Sequence, residues 1–237
     1  MRRVPFLVAS LALVAFTQPA YSPDRELALG KQLAAEIERN AAVINDPAIT
    51  GYVDRTTRKL AATAQLRTPL TVKVISGPNL YTITLPGGFL DISTRLIVEA
   101  ANEAELAGVI AHQLGHLVLG PASPPQPAAP GAIPLLFMGG GLCVRVPAHA
   151  AGVGLAIPTW YLAASRETEA QADELGLDYM QNAGYDPGAL ADFYGRIPKI
   201  MPESTRIKAD SMRNGRSFVV TTSEFAEIQR KVADLPR

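Results

Sequence analysis

The sequence predicts an α+β fold, mainly helical with a small β-sheet, and three observations support this prediction. Apolar residues recur at helical spacing over residues 25–64, alternate with polar residues over 70–93, and return to helical spacing over 95–119. Helical patterns also dominate the last third of the chain. A hydrophobic fraction of 48% in 237 residues is enough for one substantial core, so we expect one domain over residues 23–237.

Two helices are expected before the sheet. The first spans residues 25–44, with five apolar side chains near one face: Leu27, Leu29, Leu33, Ile37 and Val43. Asp46 and Pro47 then form a start signal, because aspartate is a good N-cap and proline suits the first helical position. The second helix should therefore run from here to about residue 64.

Two alternating runs predict the sheet, residues 70–77 and residues 80–93. Pro86-Gly87-Gly88 interrupts the second run with a turn signal, so we expect a hairpin or a meander. The helical period then favours one continuous helix from Arg95 to Leu119.

The second half of the chain begins with a segment that cannot be regular, Pro121–Pro130, which we expect to be a surface loop. The apolar, glycine-rich residues 131–144 favour a buried or membrane-facing segment over a membrane span, because the run is short. A long helix is expected over residues 158–182. Asp186-Pro187 should start the next one, and a short strand and a helix capped by Ser223 should close the chain.

The first 22 residues have the layout of an export signal. Arg2 and Arg3 precede an apolar run, Val4–Phe16, that is too short for an ordinary spanning helix, and small and polar residues follow. Ala20-Tyr21-Ser22 would suit cleavage after Ser22, but Pro23 follows directly and should hinder it; cleavage after Ala20 and retention as an uncleaved anchor are the alternatives. The protein is therefore expected outside the cytoplasm, in the periplasm or associated with a membrane.

Charge and cysteine content argue against a nucleic-acid-binding protein and against a disulfide-stabilised one. Lysine plus arginine equals aspartate plus glutamate, 22 of each, so no basic excess favours a nucleic-acid partner. The single cysteine, Cys143, excludes an intrachain disulfide.

The clearest chemical signal is the pair His112 and His116. Residues four apart lie on one face of a helix, so both imidazoles can reach one zinc ion, which also accepts a carboxylate and a water. Glu169 is the best candidate for that carboxylate, and Asp173, one turn further, can accept the second ring N–H of a ligating histidine. The alternatives are two hydrogen-bonded core histidines and a solvated acidic helix face.

Taken in order, these segments resemble the M48 family of membrane-associated and periplasmic zinc metallopeptidases. The resemblance covers residues 24–232 and is carried by "LPGGF", "NEAELAGVIAHQLGH", "SRETEAQAD" and "AGYDP". It implies a zincin-like fold whose small mixed sheet lies beside the active-site helix.

The resemblance also assigns roles to individual residues. His112, His116 and Glu169 would hold one Zn²⁺ ion, and Asp173 would be the acidic residue that hydrogen-bonds one of the ligating histidines. The edge strand and turn beside an extended peptide substrate would comprise Leu85, Pro86, Gly87 and Gly88. An extended polypeptide could pair with that edge by strand addition.

Four departures from the family pattern stand out. Gln113 occupies the position of the catalytic glutamate, and Gln171 replaces a second glutamate. Gly120 and Pro121 end the helix where the family often continues with a histidine, and Met201 precedes Pro202 where His-Pro is common. Since three of these lie away from the catalytic position, we interpret the chain as a natural divergent member rather than an engineered variant. His149, the remaining histidine, matches no family position.

Glutamine has nearly the shape of glutamate but cannot accept a proton, and a general base typically supplies ~10²–10⁴ in rate. We therefore expect a zinc-binding envelope protein with weak or absent peptidase activity, which acts on unfolded polypeptides or holds them as a chaperone or scaffold. A working endopeptidase with a different base and a metal-free interaction protein are the alternatives.

Overall fold

Eight helices and three strands make up the described part of the chain. The computed structural model describes residues 23–77, 82–120, 166–197 and 201–235. The helices are α1 Pro23–Asn40, α2 Pro47–Ala61, α3 Thr94–Glu99, α4 Glu103–Leu119, α5 Arg166–Asn182, α6 Gly188–Arg196, α7 Glu203–Arg213 and α8 Ser223–Ala233. The strands are β1 Thr71–Ile75, β2 Thr82–Leu85 and β3 Phe89–Ser93. This confirms the predicted fold class.

The sheet is mixed, with β3 at its centre. β3 pairs in parallel with β1, in the register Thr71 with Phe89, and antiparallel with β2, in the register Leu85 with Phe89. The predicted hairpin is therefore present, but the strands do not form a meander, because β1 pairs with β3 rather than with β2. The strand order β1-β3-β2 leaves β2 at one edge of the sheet.

The turn that joins β2 and β3 is buried. Gly87 and Gly88 have φ angles of 78° and 89°, a conformation that side chains other than glycine rarely adopt. A Cβ on Gly87 would lie 2.7 Å from the Cα of Leu27 in α1, and one on Gly88 would lie 2.3 Å from the carbonyl oxygen of Pro69. The glycines therefore let α1 and the preceding loop pack directly on the turn.

Each face of the sheet has its own apolar core. Leu90 and Ile92 of β3 face the larger core, which the helices other than α1 complete. The smaller core lies between α1 and the opposite face, and contains Leu33, Ile37, Ile75, Ile83 and Leu85. The alternation of the strands thus places β3 between two apolar layers.

The start of α2 follows the prediction. Asp46 is the N-cap and accepts hydrogen bonds from the backbone N–H of Ala48, at 2.8 Å, and of Ile49, at 3.3 Å, with Pro47 as the first helical residue.

The continuous helix predicted from Arg95 to Leu119 is wrong. The chain breaks between α3 and α4, and Asn102 caps α4 by accepting a hydrogen bond from the N–H of Glu105, at 3.0 Å. The predicted cap at Ser223 is also one residue late, because Thr222 caps α8. The expected short strand before α8 is a single bridge between Val219 and Tyr185.

Several predicted features lie outside the described residues. They are the export segment, residues 1–22, the loop Pro121–Pro130, the apolar residues 131–144, His149, and the first part of the helix expected from residue 158. Within the described ranges, no helix combines the length and the apolar character that crossing a membrane requires.

Asp91 is a buried carboxyl group in the middle of β3. It is 3% exposed and lies opposite Lys73 of β1, whose ammonium pairs with Glu38 of α1. Burial raises the pKa of Asp91 to about 7, with Lys73 lowering it and Glu38 raising it further. The folded state therefore keeps a proton that the unfolded chain loses near pH 4.

This raised pKa predicts a pH-dependent stability. The contribution of Asp91 is most favourable below about pH 4 and is lost as the pH rises towards 7, because over this range the unfolded chain gains the free energy of ionising the carboxyl group while the native state still holds the proton. We expect Asp91→Asn to gain stability over the native chain between pH 5 and pH 8, by on the order of 2 kcal/mol. Denaturant unfolding at both pH values measures this difference.

Asp210→Asn, at an exposed position of α7, is the control for loss of one negative charge. An advantage of Asp91→Asn that is equal at pH 5 and pH 8 would contradict the prediction.

Candidate metal centre

Helix α4 is the central element of the domain. Its first thirteen residues, Glu103 to Gly115, are all buried, which fits its apolar character around the whole circumference. It packs against α5 most extensively, and also against α2, α6 and the edge strand β2. Side chains that α4 projects are therefore held rigidly on several sides.

Two glycines bring α4 and α5 into close contact. A Cβ on Gly115 would lie 2.8 Å from the carbonyl oxygen of Ala172, and a Cβ on Gly176 would lie 3.0 Å from the backbone nitrogen of His112. Either side chain would force the two helices apart. This close approach brings the histidines of α4 to the carboxylates of α5.

The three predicted ligands meet at this contact. Nε2 of His112 lies 3.1 Å from Nε2 of His116, and these atoms lie 3.7 Å and 3.2 Å from the two carboxylate oxygens of Glu169. Ligands bonded to zinc at 2.0–2.2 Å occupy tetrahedral corners about 3.3–3.6 Å apart. The three spacings lie close to that range, so the donor set fits one tetrahedral ion. Within the described ranges, this is the one group of three or more such side chains with metal-binding geometry.

Asp173 lies behind the first of these ligands. Its Oδ1 is 2.7 Å from Nδ1 of His112, and both side chains are almost completely buried, at 1% and 0% exposure. A carboxylate at Nδ1 holds the proton on that nitrogen and leaves Nε2 free to bind a metal. The structure thus places Asp173 against the ring nitrogen of His112 that does not face His116 and Glu169.

Gln113 lies on α4 directly after the first ligand. The residue is fully buried, and neither its amide oxygen nor its amide nitrogen has a hydrogen-bond partner within the described part of the chain. Buried amides without partners are uncommon, since each lost hydrogen bond costs about 1–3 kcal/mol. Such a group fits a position where another molecule supplies the partner.

The first turn of α4 carries two buried carboxylates that were not predicted as functional residues. Glu103 accepts hydrogen bonds from the hydroxyls of Tyr185, at 2.9 Å, and Thr222. Glu105 accepts from the backbone N–H of Ala101, at 2.7 Å, and forms a two-point ion pair with Arg196. These bonds fix the N-terminal end of the helix that carries the histidines.

The predicted substrate edge divides into two parts in the structure. Leu85 ends the edge strand β2 and is fully buried, and Pro86, Gly87 and Gly88 are buried in the turn. Of the four predicted residues, Leu85 alone belongs to the edge strand, and the other three form the buried turn between β2 and β3.

Comparison with known proteins agrees with this geometry. The model of peptidase family M48 matches residues 47–226. The chain is 28% identical over 183 residues to a putative beta-barrel assembly-enhancing protease of Vibrio cholerae, covering 73% of this chain and 38% of that protein. It is 25% identical over 228 residues to the beta-barrel assembly-enhancing protease of Escherichia coli K12, covering 86% and 47%.

The corresponding protein of Yersinia pestis is 25% identical over 185 residues, covering 74% of this chain and 38% of the relative. The chain thus spans less than half the length of these curated relatives. Because the family model covers most of the chain, including both histidines and the acidic helix, the chain belongs to peptidase family M48.

Proposed function

We propose that this chain is an exported zinc-binding protein that binds unfolded polypeptides and cleaves them weakly or not at all. The observation that carries the proposal is Gln113, a buried amide without a partner in the described structure, placed between two histidines of a metal-binding cluster. The cluster supports metal binding, and the amide at the base position argues against efficient turnover.

Each side chain of the cluster has its own role in the proposed site. His112, His116 and Glu169 would hold the ion, and Asp173 would keep His112 in the binding tautomer. Zinc in such a site polarises a peptide carbonyl and acidifies a water. Gln113 can donate and accept hydrogen bonds but cannot take up a proton, so the step that needs a base loses its ~10²–10⁴ contribution.

The edge strand β2 is the proposed contact for the polypeptide. It lies at one end of the strand order and contacts α4, so a peptide paired along it would run beside the helix that carries the histidines. The relatives named as beta-barrel assembly-enhancing proteases support a polypeptide as the partner.

Metal content and hydrolysis, measured together, test the proposal. We expect the purified protein, prepared without chelator, to contain about one zinc ion per chain and to hydrolyse casein slowly or not at all. Absence of zinc would favour the metal-free interaction protein. Zinc together with rapid, chelator-sensitive hydrolysis would favour a working endopeptidase with a different base.

Export of the chain is a separate prediction. Arg2 and Arg3 ahead of the apolar run Val4–Phe16 should direct the protein out of the cytoplasm, and an uncleaved segment would leave it attached to the membrane. A C-terminal fusion to a reporter that is active only after export should be active, and deletion of residues 1–22 should abolish that activity. Recovery of the intact native chain entirely in the cytoplasm would contradict the prediction.

A further inference from the structure

Tyr194 of α6 is a buried tyrosine that contacts the metal centre from behind. It is 2% exposed, and its hydroxyl donates a hydrogen bond to Oδ1 of Asp173, at 3.1 Å. The same oxygen lies 2.7 Å from Nδ1 of His112. The tyrosine ring also stands edge-on to the His112 ring, with centroids 6.2 Å apart and an interplanar angle of 85°.

Ion pairs at both ends of α6 fix the position of this hydroxyl. Before its first residue, Asp186 forms a two-point ion pair with Arg213 of α7, with two contacts of 2.7 Å. At its last residue, Arg196 binds Glu105 in the first turn of α4, with a contact of 2.6 Å. Helix α6 is therefore held by ion pairs to α4 and to Arg213 of α7. The hydrogen bond from Tyr194 thus fixes the Asp173 carboxylate relative to these elements and not only relative to α5.

We propose that Tyr194 is a positioning residue for the metal centre, acting through Asp173 on His112. A carboxylate oxygen has two lone pairs, and Oδ1 of Asp173 lies within hydrogen-bond distance of both the Tyr194 hydroxyl and Nδ1 of His112, so it can accept from both. With the hydroxyl present, the carboxylate cannot rotate away without losing a buried hydrogen bond, so His112 stays oriented with Nε2 towards His116 and Glu169. This inference rests on the proposed function of the cluster as a metal site.

Tyr194→Phe tests the inference in the full chain, because it removes the hydroxyl and keeps the ring. We expect zinc affinity, measured by competition with a chromogenic chelator, to fall about tenfold. This is the lower end of the loss that follows when a residue hydrogen-bonded to a metal ligand is removed. We also expect the visible absorption spectrum of the Co²⁺-loaded protein to change, since that spectrum reports the geometry of the ligands.

Tyr185→Phe is the matched control. Tyr185 is also 2% exposed, and its hydroxyl also donates to a buried carboxylate of a site-bearing helix, Glu103, yet it does not contact the ligands. A general loss of stability should affect both variants alike, whereas positioning should change zinc affinity and the Co²⁺ spectrum only in Tyr194→Phe. Equal effects in the two variants, or no effect in either, would overturn the inference.

The background of Asp173→Ala shows whether the effect passes through the carboxylate. In that background Tyr194→Phe should cause no further loss of zinc affinity, because the hydroxyl has no carboxylate left to hold. A further tenfold loss there would overturn the proposed route. A native chain that binds neither zinc nor cobalt would refute the metal site itself, whereas a metal-binding native chain with an unaffected Tyr194→Phe variant would refute the positioning role alone.

Discussion

Gln113→Glu should raise endopeptidase activity by a factor of ~10²–10⁴, the range that a general base contributes. The substitution adds a proton acceptor at the position between His112 and His116 and changes the side-chain shape very little. A glutamate can take a proton from the attacking water and pass it to the leaving amine, which the amide cannot do. Casein hydrolysis by both proteins at equal zinc content measures the gain, and chelators should abolish it.

The surroundings of Gln113 make this substitution informative. The side chain is fully buried, so the variant places a carboxylate where the described residues offer no hydrogen-bond partner. Burying such a group costs stability unless the charge is paired, and bound zinc supplies the opposite charge. We therefore expect the variant to be less stable than the native chain without zinc and to regain stability when zinc is added.

Gln171→Glu is the matched control, because it makes the same chemical change at an exposed position of α5. It should leave casein hydrolysis unchanged. If Gln113→Glu binds zinc and gains nothing, the altered helix end at Gly120 or the missing histidine before Pro202 also matters, and the fold serves another role. High activity in the native chain, unchanged by the substitution, would show that Gln113 is not at the base position.

The sequence was most informative where function depends on local geometry. Two histidines four residues apart must share a face on any helix, and Asp46-Pro47 starts a helix through contacts within a few residues. The distance between α4 and α5 is different, because it depends on Gly115 and Gly176 meeting backbone atoms of the opposite helix. No periodicity within either helix contains that information; the family resemblance did, through Glu169 and Asp173.

The missed features have identifiable causes. The helical period continues through residues 100–102, so it concealed the break, although Asn102 followed three residues later by Glu105 is typical of a helix start. Helix α7 has few apolar residues and was not predicted from periodicity. Tyr194 could not be identified from the sequence, because its partner Asp173 belongs to another helix and the two residues meet only in the folded chain.

His116→Ala should abolish zinc binding and remove the stability that depends on zinc. Loss of one of three protein ligands leaves His112 and Glu169, and two ligands do not complete the site that zinc requires. A metal that binds only the native state stabilises it in proportion to the logarithm of its concentration over its dissociation constant, about 2.7 kcal/mol at a hundredfold excess. The native chain should therefore melt at a higher temperature with zinc than with chelator, and the variant should melt at one temperature in both.

Measuring both proteins with and without chelator separates the metal from the side chain. His116 is partly exposed, with 11% of its side chain accessible, so its removal has a packing cost of its own. That cost is the difference between the two proteins in chelator, where neither holds zinc. The additional difference in zinc is the contribution of the metal, because the packing cost is present in both conditions and cancels. Two results would show that His116 is not a zinc ligand. Either zinc leaves the melting temperature of the native chain unchanged, or it raises the melting temperature of the variant as much as that of the native chain.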